Sequence, residues 1–263
     1  MNFPLILLIL TVVTGIFWVL ERRSFLPARK ARAEEAARRF EADNREAIDR
    51  GEKAVIDARN DLYAREIRQP WWLEYTAGLF PVIAIVFFVR SFLFEPFRIP
   101  SGSMLPTLHV GDFILVNKYE YGIRLPVTNW KIIPLGSPQR GDVVVFKDPN
   151  NWLNEEQSSA PGGGYLIKRL IGLPGDVVEC KGAGQPVTIN GVAINETSYI
   201  RPGVDPSAFP FSVTVTEGRV FVMGDNRANS ADSRYHQDDG DRGLVPISDV
   251  VGVGIAKYWP LDR

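Results

Sequence analysis

Apolar residues along this chain come first as two long blocks and then as many short ones. Phe3 to Leu20 is 18 residues without a charge, close to the ~20 needed to cross ~30 Å of hydrocarbon as a helix. A membrane anchor is therefore expected over residues 1–21. A cleaved leader fits less well: no positive segment precedes the run, no small-residue cleavage site follows it, and Arg22 and Arg23 stand after it. A second uncharged run, Tyr75 to Val89, follows Trp71 and Trp72 and continues through Arg90 to Phe92-Leu93-Phe94. Tryptophans favour membrane interfaces and a long basic side chain can reach back to one, so residues 71–94 are expected to span as well. A buried core helix is the alternative for that run.

Between the two blocks the pattern turns polar. Ala31 to Glu66 is rich in Ala, Glu and Arg, with Glu34/Arg38, Glu35/Arg39, Glu41/Arg45 and Glu46/Arg50 spaced for neighbouring turns of a helix. Gly51 is expected to break it into a hairpin or a long interrupted helix. Basic residues near a span tend to stay in the cytoplasm, so Arg22, Arg23, Arg29, Lys30 and Arg32 place residues 22–70 inside and the N-terminus outside. Everything after about Phe94 is then extracytoplasmic. A solvated spacer is a simpler role for the charged segment than a partner-binding one.

From residue 95 to 263 the apolar runs shorten to strand length: Phe113–Val116, Val143–Phe146, Leu166–Ile171, Val187–Ile194, Phe211–Val215, Val220–Met223 and Val250–Tyr258. Turn sequences such as Arg140-Gly141-Asp142 and Pro174-Gly175-Asp176 separate them, and Asn190-Gly191 is a two-residue hairpin signal. The expected architecture is a mostly β extracytoplasmic domain of coiled antiparallel sheets, barrel-like, carried on two N-terminal transmembrane helices with a helical cytoplasmic loop.

Composition narrows the chemistry. With 30 basic and 31 acidic residues the chain has no positive excess to attract nucleic acid. One cysteine, Cys180, excludes an internal disulfide framework, and two histidines, His109 and His236, are few for zinc. Gly162-Gly163-Gly164 lacks the lysine and hydroxyl residue of a phosphate loop, and Gly182-Ala183-Gly184 lacks a third glycine; both read as turns. Asp238-Asp239-Gly240-Asp241 fails the spacing of an EF-hand and reads as an exposed acidic loop. Asn195-Glu196-Thr197 matches a glycosylation acceptor, a short pattern that often matches by chance.

The most informative stretch is Pro100-Ser101-Gly102-Ser103-Met104-Leu105-Pro106-Thr107, which sets two hydroxyls on a turn between φ-restricted prolines just past the second apolar block. Ser103 needs a base to act as a nucleophile. Lys168 lies in the apolar run Leu166-Ile167-Lys168-Arg169-Leu170-Ile171. An ordinary lysine, with a pKa of ~10.4, is almost wholly charged at pH 7; burial that lowers it to ~8 leaves roughly 10% neutral and costs about 3 kcal/mol of stability. A lysine alternating out of a half-buried strand into water is the competing account. A histidine base is the other rival, but no aspartate is obviously placed to orient His109, and His236, beside Gln237, Asp238 and Asp239, is expected to be exposed. The polar run Gly224 to Arg234 after a strand is either a positioning loop or a solvated turn.

Three stretches taken together, Pro100 to Thr107, Lys168 to Asp176 (KRLIGLPGD) and Gly224 to Arg234 (GDNRANSADSR), closely resemble bacterial type I signal peptidase, also called leader peptidase. The resemblance implies a multi-pass enzyme of the bacterial cytoplasmic (inner) membrane that removes signal peptides from exported preproteins after small residues, at Ala-x-Ala type sites. It implies Ser103 as nucleophile, Lys168 as general base, Ser101 with the Ser103 N–H as oxyanion hole and Ser230 as the group that orients the lysine. Asp232 and Arg234 would form a supporting ion pair, with Asp225 and Arg169 as structural neighbours. Phe97, Ile99, Met104, Leu108, Ile114, Leu166 and Ile167 would line shallow apolar pockets for the substrate. Preproteins, membrane lipid and the translocation machinery are the implied partners, with no metal or organic cofactor. The segment His236–Arg242 departs from the family pattern, which has a single aromatic residue there, and lone Cys180 cannot supply the cysteine pair some relatives have. The rival of another class is a membrane-anchored β domain that binds peptides or scaffolds export machinery without cutting.

Overall fold

A computed structural model describes residues 3–126, 128, 130–149, 152, 153 and 164–260; Gly162 and Gly163 of the triple-glycine turn lie outside them. The chain divides into two units, Met1–Val89 and Arg90–Arg263.

In the first unit the uncharged run forms α1 (Phe3–Leu20), which continues through a widened turn at Glu21–Phe25 into α2 (Leu26–Asp43). Glu21, just past the apolar residues, is buried against Arg29, whose Nε also donates to the Ile67 carbonyl. A buried charge persists when it is paired in this way. A short α3 (Arg45–Asp49) and Gly51, at φ +71°, turn the chain into α4 (Lys53–Ile67), which packs back along α2. Of the two forms expected, a hairpin or a long interrupted helix, the chain takes the hairpin. Ala33 and Ala37 let the two helices approach closely, and Glu41 pairs across the gap with Arg59 at 2.7 Å rather than with Arg45, which starts α3 beyond the end of α2. Arg50 likewise bonds Glu52 rather than Glu46. The other two spacings, Glu34/Arg38 and Glu35/Arg39, form pairs.

After Pro70 come α5 (Trp71–Ala77) and α6 (Phe80–Phe88), which lie along α1. Gly15 makes room for the Phe80 ring, which stands 3.0 Å from where a Cβ would be, and Trp18 packs on the same ring. Phe3–Asp43 and Trp71–Leu93 are both long and apolar enough, over part of their length, to cross a membrane. The second stretch ends one residue before the sequence pattern suggested, because Phe94 already belongs to a strand.

The second unit is mostly β. Its strands are β1 (Phe94–Arg98), β2 (Phe113–Asn117), β3 (Ile123–Arg124), β4 (Lys131–Ile133), β5 (Val143–Lys147), β6 (Tyr165–Gly172) and β7 (Val177–Cys180). Then follow β8 (Val187–Ile189), β9 (Val192–Ala193), β10 (Phe211–Thr214), β11 (Arg219–Met223), β12 (Val245–Pro246) and β13 (Val250–Trp259). Seven of them make one antiparallel sheet in the order β1-β2-β13-β5-β6-β11-β12, and β10-β7-β8-β9 make a second, smaller one. The large sheet is curled, with register shifts in β13 and between Phe221 and Val222, where an extra residue bends a strand. It stays open, with β1 and β12 at its edges, so the barrel-like expectation reduces to a curled sheet. Between β8 and β9, Asn190 and Gly191 both take positive φ, as their hairpin signal required.

Strand β6 positions the site. It feeds three apolar clusters: Ile171 packs with Val178, Val213 and Phe221; Leu166 and Leu170 with Val144, Phe146 and Trp152; and Ile167 with Ile99, Met104, Leu108, Ile114, Val116 and Val145. Both faces of β6 are consequently covered, and every residue from Leu166 to Gly172 except Arg169 is buried. The usual alternation of wet and dry positions is lost, and with it the solvated position that a lysine on a one-sided strand would have.

Candidate active site

Four pieces of chain meet around Ser103. Edge strand β1 delivers Ile99 and Pro100, and a single turn of 3₁₀ helix at Gly102–Met104 aims Ser103 and Met104 into the domain; Ser103 is 8% exposed. Strand β6, between β5 and β11, brings Lys168, which is 3% exposed. The Lys168 Nζ donates to Ser103 Oγ at 2.7 Å. Ser101, exposed at the mouth of the turn, has its Oγ 3.4 Å from Ser103 Oγ.

Burial is the main force on the Lys168 amine and lowers its pKa from the ordinary 10.5 to about 8. Asp232 opposes that fall, Arg234 adds to it, and Asp225 opposes it. Both aspartates are themselves engaged. Burial works to raise the Asp232 carboxyl, but the Arg234 guanidinium, followed by the Gly224 N–H and Lys168, outweighs it and holds the group below the usual carboxylate range. Asp225 takes two bonds from Arg169, at 2.8 and 2.6 Å, and one from Thr107 Oγ1. Their charge is thus shared with guanidinium partners, and desolvation prevails at the amine.

The loop after β11 holds the serine turn from below. The Asn226 N–H donates to the Ser103 carbonyl at 3.0 Å and its Nδ2 to the Gly102 carbonyl at 2.8 Å. Gly224 is required at the meeting point, since a Cβ there would lie 2.2 Å from Ser230 Oγ and 2.5 Å from the Ser103 carbonyl oxygen. Ser230 is buried, and its Oγ has no hydrogen-bond partner among the described residues.

The structure brings Ser103, Lys168, Ser101, Asp225, Asp232, Arg234 and Arg169 together through the contacts above, and Ser230 joins them at Gly224 rather than by a bond to the lysine. Phe97, Ile99, Met104, Leu108, Ile114 and Ile167 share one cluster beside the serine, whereas Leu166 packs in another with Phe146 and Trp152. His109 is 46% exposed, with Nδ1 3.9 Å from Asp112 Oδ2, and makes no bond to Ser103. His236 departs from the expected exposure. Its ring stacks on Trp152 at 4.3 Å, its Nδ1 is 3.1 Å from Asp239, and its side chain is only 19% exposed. The apolar face of Trp152 draws it in, while Asp241 of the same segment pairs with Arg219.

One contributor was not legible as such: Asn226, which holds the Ser103 and Gly102 carbonyls. The Asn195 side chain accepts from Thr197 and closes a local turn, so the glycosylation pattern overlies a structural use of the same residues.

A primary hydroxyl bonded to a desolvated amine, on a turn held by its carbonyls, is the constellation of a serine-type hydrolase. Residues 72–259 match the family described as signal peptidase, peptidase S26. Signal peptidase I of Pseudomonas aeruginosa is 38% identical, across 99% of this chain and 93% of the relative. That of Haemophilus influenzae is 33% identical, across 100% and 87%. A crystal structure of a signal peptidase I from Enterococcus faecalis V583 is 32% identical, covering 46% of this chain and 99% of that one, with a TM-score of 0.33. The chain belongs to the signal peptidase family, peptidase S26, and with it to the serine proteases that act on preproteins.

Proposed function

We propose that this protein is a membrane-bound endopeptidase that uses Ser103 and Lys168 to cut N-terminal signal peptides from exported preproteins after small residues, at Ala-x-Ala type sites. The observation that carries the proposal is the 2.7 Å bond between a 3% exposed amine and the Ser103 hydroxyl.

In the first half-reaction neutral Lys168 Nζ takes the proton from Ser103 Oγ as that oxygen bonds to the scissile carbonyl carbon. The Ser103 N–H and the Ser101 hydroxyl donate to the oxyanion. The lysine then gives the proton to the departing amine, which is the new N-terminus of the mature protein. Water deprotonated by the same amine attacks the ester on Ser103 and frees the signal peptide. Ser230 Oγ, buried without a partner among the described residues, accepts an N–H from the transiently protonated lysine. The Ile99, Met104, Leu108, Ile114 and Ile167 wall that desolvates the amine also favours small side chains beside the cleaved bond.

In this scheme residues 1–21 and 71–94 span the bacterial cytoplasmic membrane, the hairpin within 22–70 is cytoplasmic, and 95–263 form the extracytoplasmic catalytic domain. Lipid and the translocation machinery are its surroundings. The test is cleavage of a precursor bearing an Ala-x-Ala site by the detergent-solubilised full chain, with mass spectrometry of the new N-terminus. Ser103→Ala and Lys168→Ala are each expected to abolish the product. Full activity in either variant rejects the pair, and precursor binding without any cut by the unsubstituted protein favours a scaffold.

A further inference from the structure

Beyond the serine turn and the lysine strand, one short segment of the β domain is tied into the site without belonging to any of its three sequence motifs. The Glu196 carboxylate, 7% exposed, bonds both terminal nitrogens of Arg227, itself 2% exposed. Arg227 in turn donates through Nε to the Gly224 carbonyl at 3.0 Å. Tyr199, on the turn that Glu196 opens, donates its hydroxyl to the same carboxylate at 2.9 Å and lays its ring over the Arg169 guanidinium at 4.2 Å. Arg169 grips Asp225 and sits next to Lys168 on β6. One segment therefore bears on both cations that hold Gly224 and Asp225, and the next residue, Asn226, holds the Ser103 carbonyl.

We propose that Glu196 and Tyr199 are positioning residues for the cleavage reaction, clamping the Gly224–Arg234 loop against the serine turn through Arg227 and Arg169. The proposal rests on Ser103 and Lys168 being the reacting pair. Three guanidinium–carboxylate pairs surround the site: Arg169–Asp225, Arg227–Glu196 and Arg234–Asp232. Of the three acids only Glu196 comes from outside the loop, so it fixes the loop to a separate part of the domain. It also completes the charge balance. The charged groups bearing on the amine, Asp232, Arg234 and Asp225, all lie in the loop that Glu196 anchors.

The experiment measures kcat and KM of the full chain in detergent against pH, with a precursor bearing an Ala-x-Ala site. Glu196→Gln frees one buried positive charge near the loop. It is expected to lower kcat about tenfold with KM changed less than about twofold. The acid limb of kcat/KM is expected to move about half a pH unit lower, since added positive charge favours the neutral amine. Glu196→Asp keeps the charge and leaves the limb in place. Adding Arg227→Gln to Glu196→Gln restores the balance and returns the limb, while kcat stays low. An unmoved limb with unchanged kcat in Glu196→Gln overturns the proposal. Should that variant fail to fold, Tyr199→Phe, which keeps the ring over Arg169 and loses one bond, is expected to lower kcat about threefold; unchanged kcat there overturns the proposal equally. Lys168→Ala run alongside separates the two questions, because activity in that variant removes the reacting pair whatever Glu196 does.

Discussion

Replacing Lys168 by methionine, which keeps the unbranched stem one atom shorter and removes the charge, sets stability against activity at one position. The amine's pKa falls from 10.5 to about 8 on folding. At ~1.4 kcal/mol per pH unit, that fall costs the folded protein about 3 kcal/mol. The group is 3% exposed, so solvent screening takes little from the figure. Methionine forfeits the bond to Ser103, worth about 1 kcal/mol, and the expected net gain at pH 7 is about 2 kcal/mol. The pH dependence has a definite sign. With the folded value below the unfolded one, the penalty is fully present below about pH 8 and gone above pH 10.5. The unsubstituted protein should therefore gain on Lys168→Met across that window and overtake it at the alkaline end. Urea unfolding of the full chain in mild detergent, at pH 7, 8, 9, 10 and 11, reads this directly, with preprotein processing measured on the same samples. A variant no more stable than its parent at pH 7, or a gain that does not change with pH, refutes the desolvated amine.

Two further outcomes follow from the same geometry. The rate of precursor cleavage at low substrate is expected to rise through an apparent pKa near 8 as Lys168 loses its proton; a rise centred near 6.5 points instead to His109 or His236. Gly224→Ala places a methyl group 2.2 Å from Ser230 Oγ and 2.5 Å from the Ser103 carbonyl, and is expected to cut turnover at least ~100-fold with circular dichroism retained; wild-type turnover shows that the loop does not press on the serine turn.

How far the sequence discloses this arrangement depends on whether a residue's partners lie nearby in the chain. The two apolar blocks, the helical hairpin and the Asn190-Gly191 turn depend on spacing over a few residues, and each was visible. Strand β1 was hidden because Glu95, Pro96 and Arg98 interrupt its apolar pattern, and it becomes a strand only by pairing with β2. Lys168 by itself could have faced water; its burial follows from β6 lying inside the sheet with clusters on both faces, a property of topology. Glu196 carries no local signal at all, since its partner Arg227 is 31 positions away. His236 was misjudged for a similar reason. Its acidic neighbours are local, whereas Trp152, on which it stacks, is distant in sequence.

The serine turn owes its shape to residues made long after it: Gly102 is gripped by Asn226, 124 positions later. Until Asn226 has been added to the growing chain, the hydroxyl exists without the brace beneath it. On the proposed chemistry, cutting power waits for that residue. A protease built this way, with the proposed pair, stays harmless until the loop that steadies its serine has emerged.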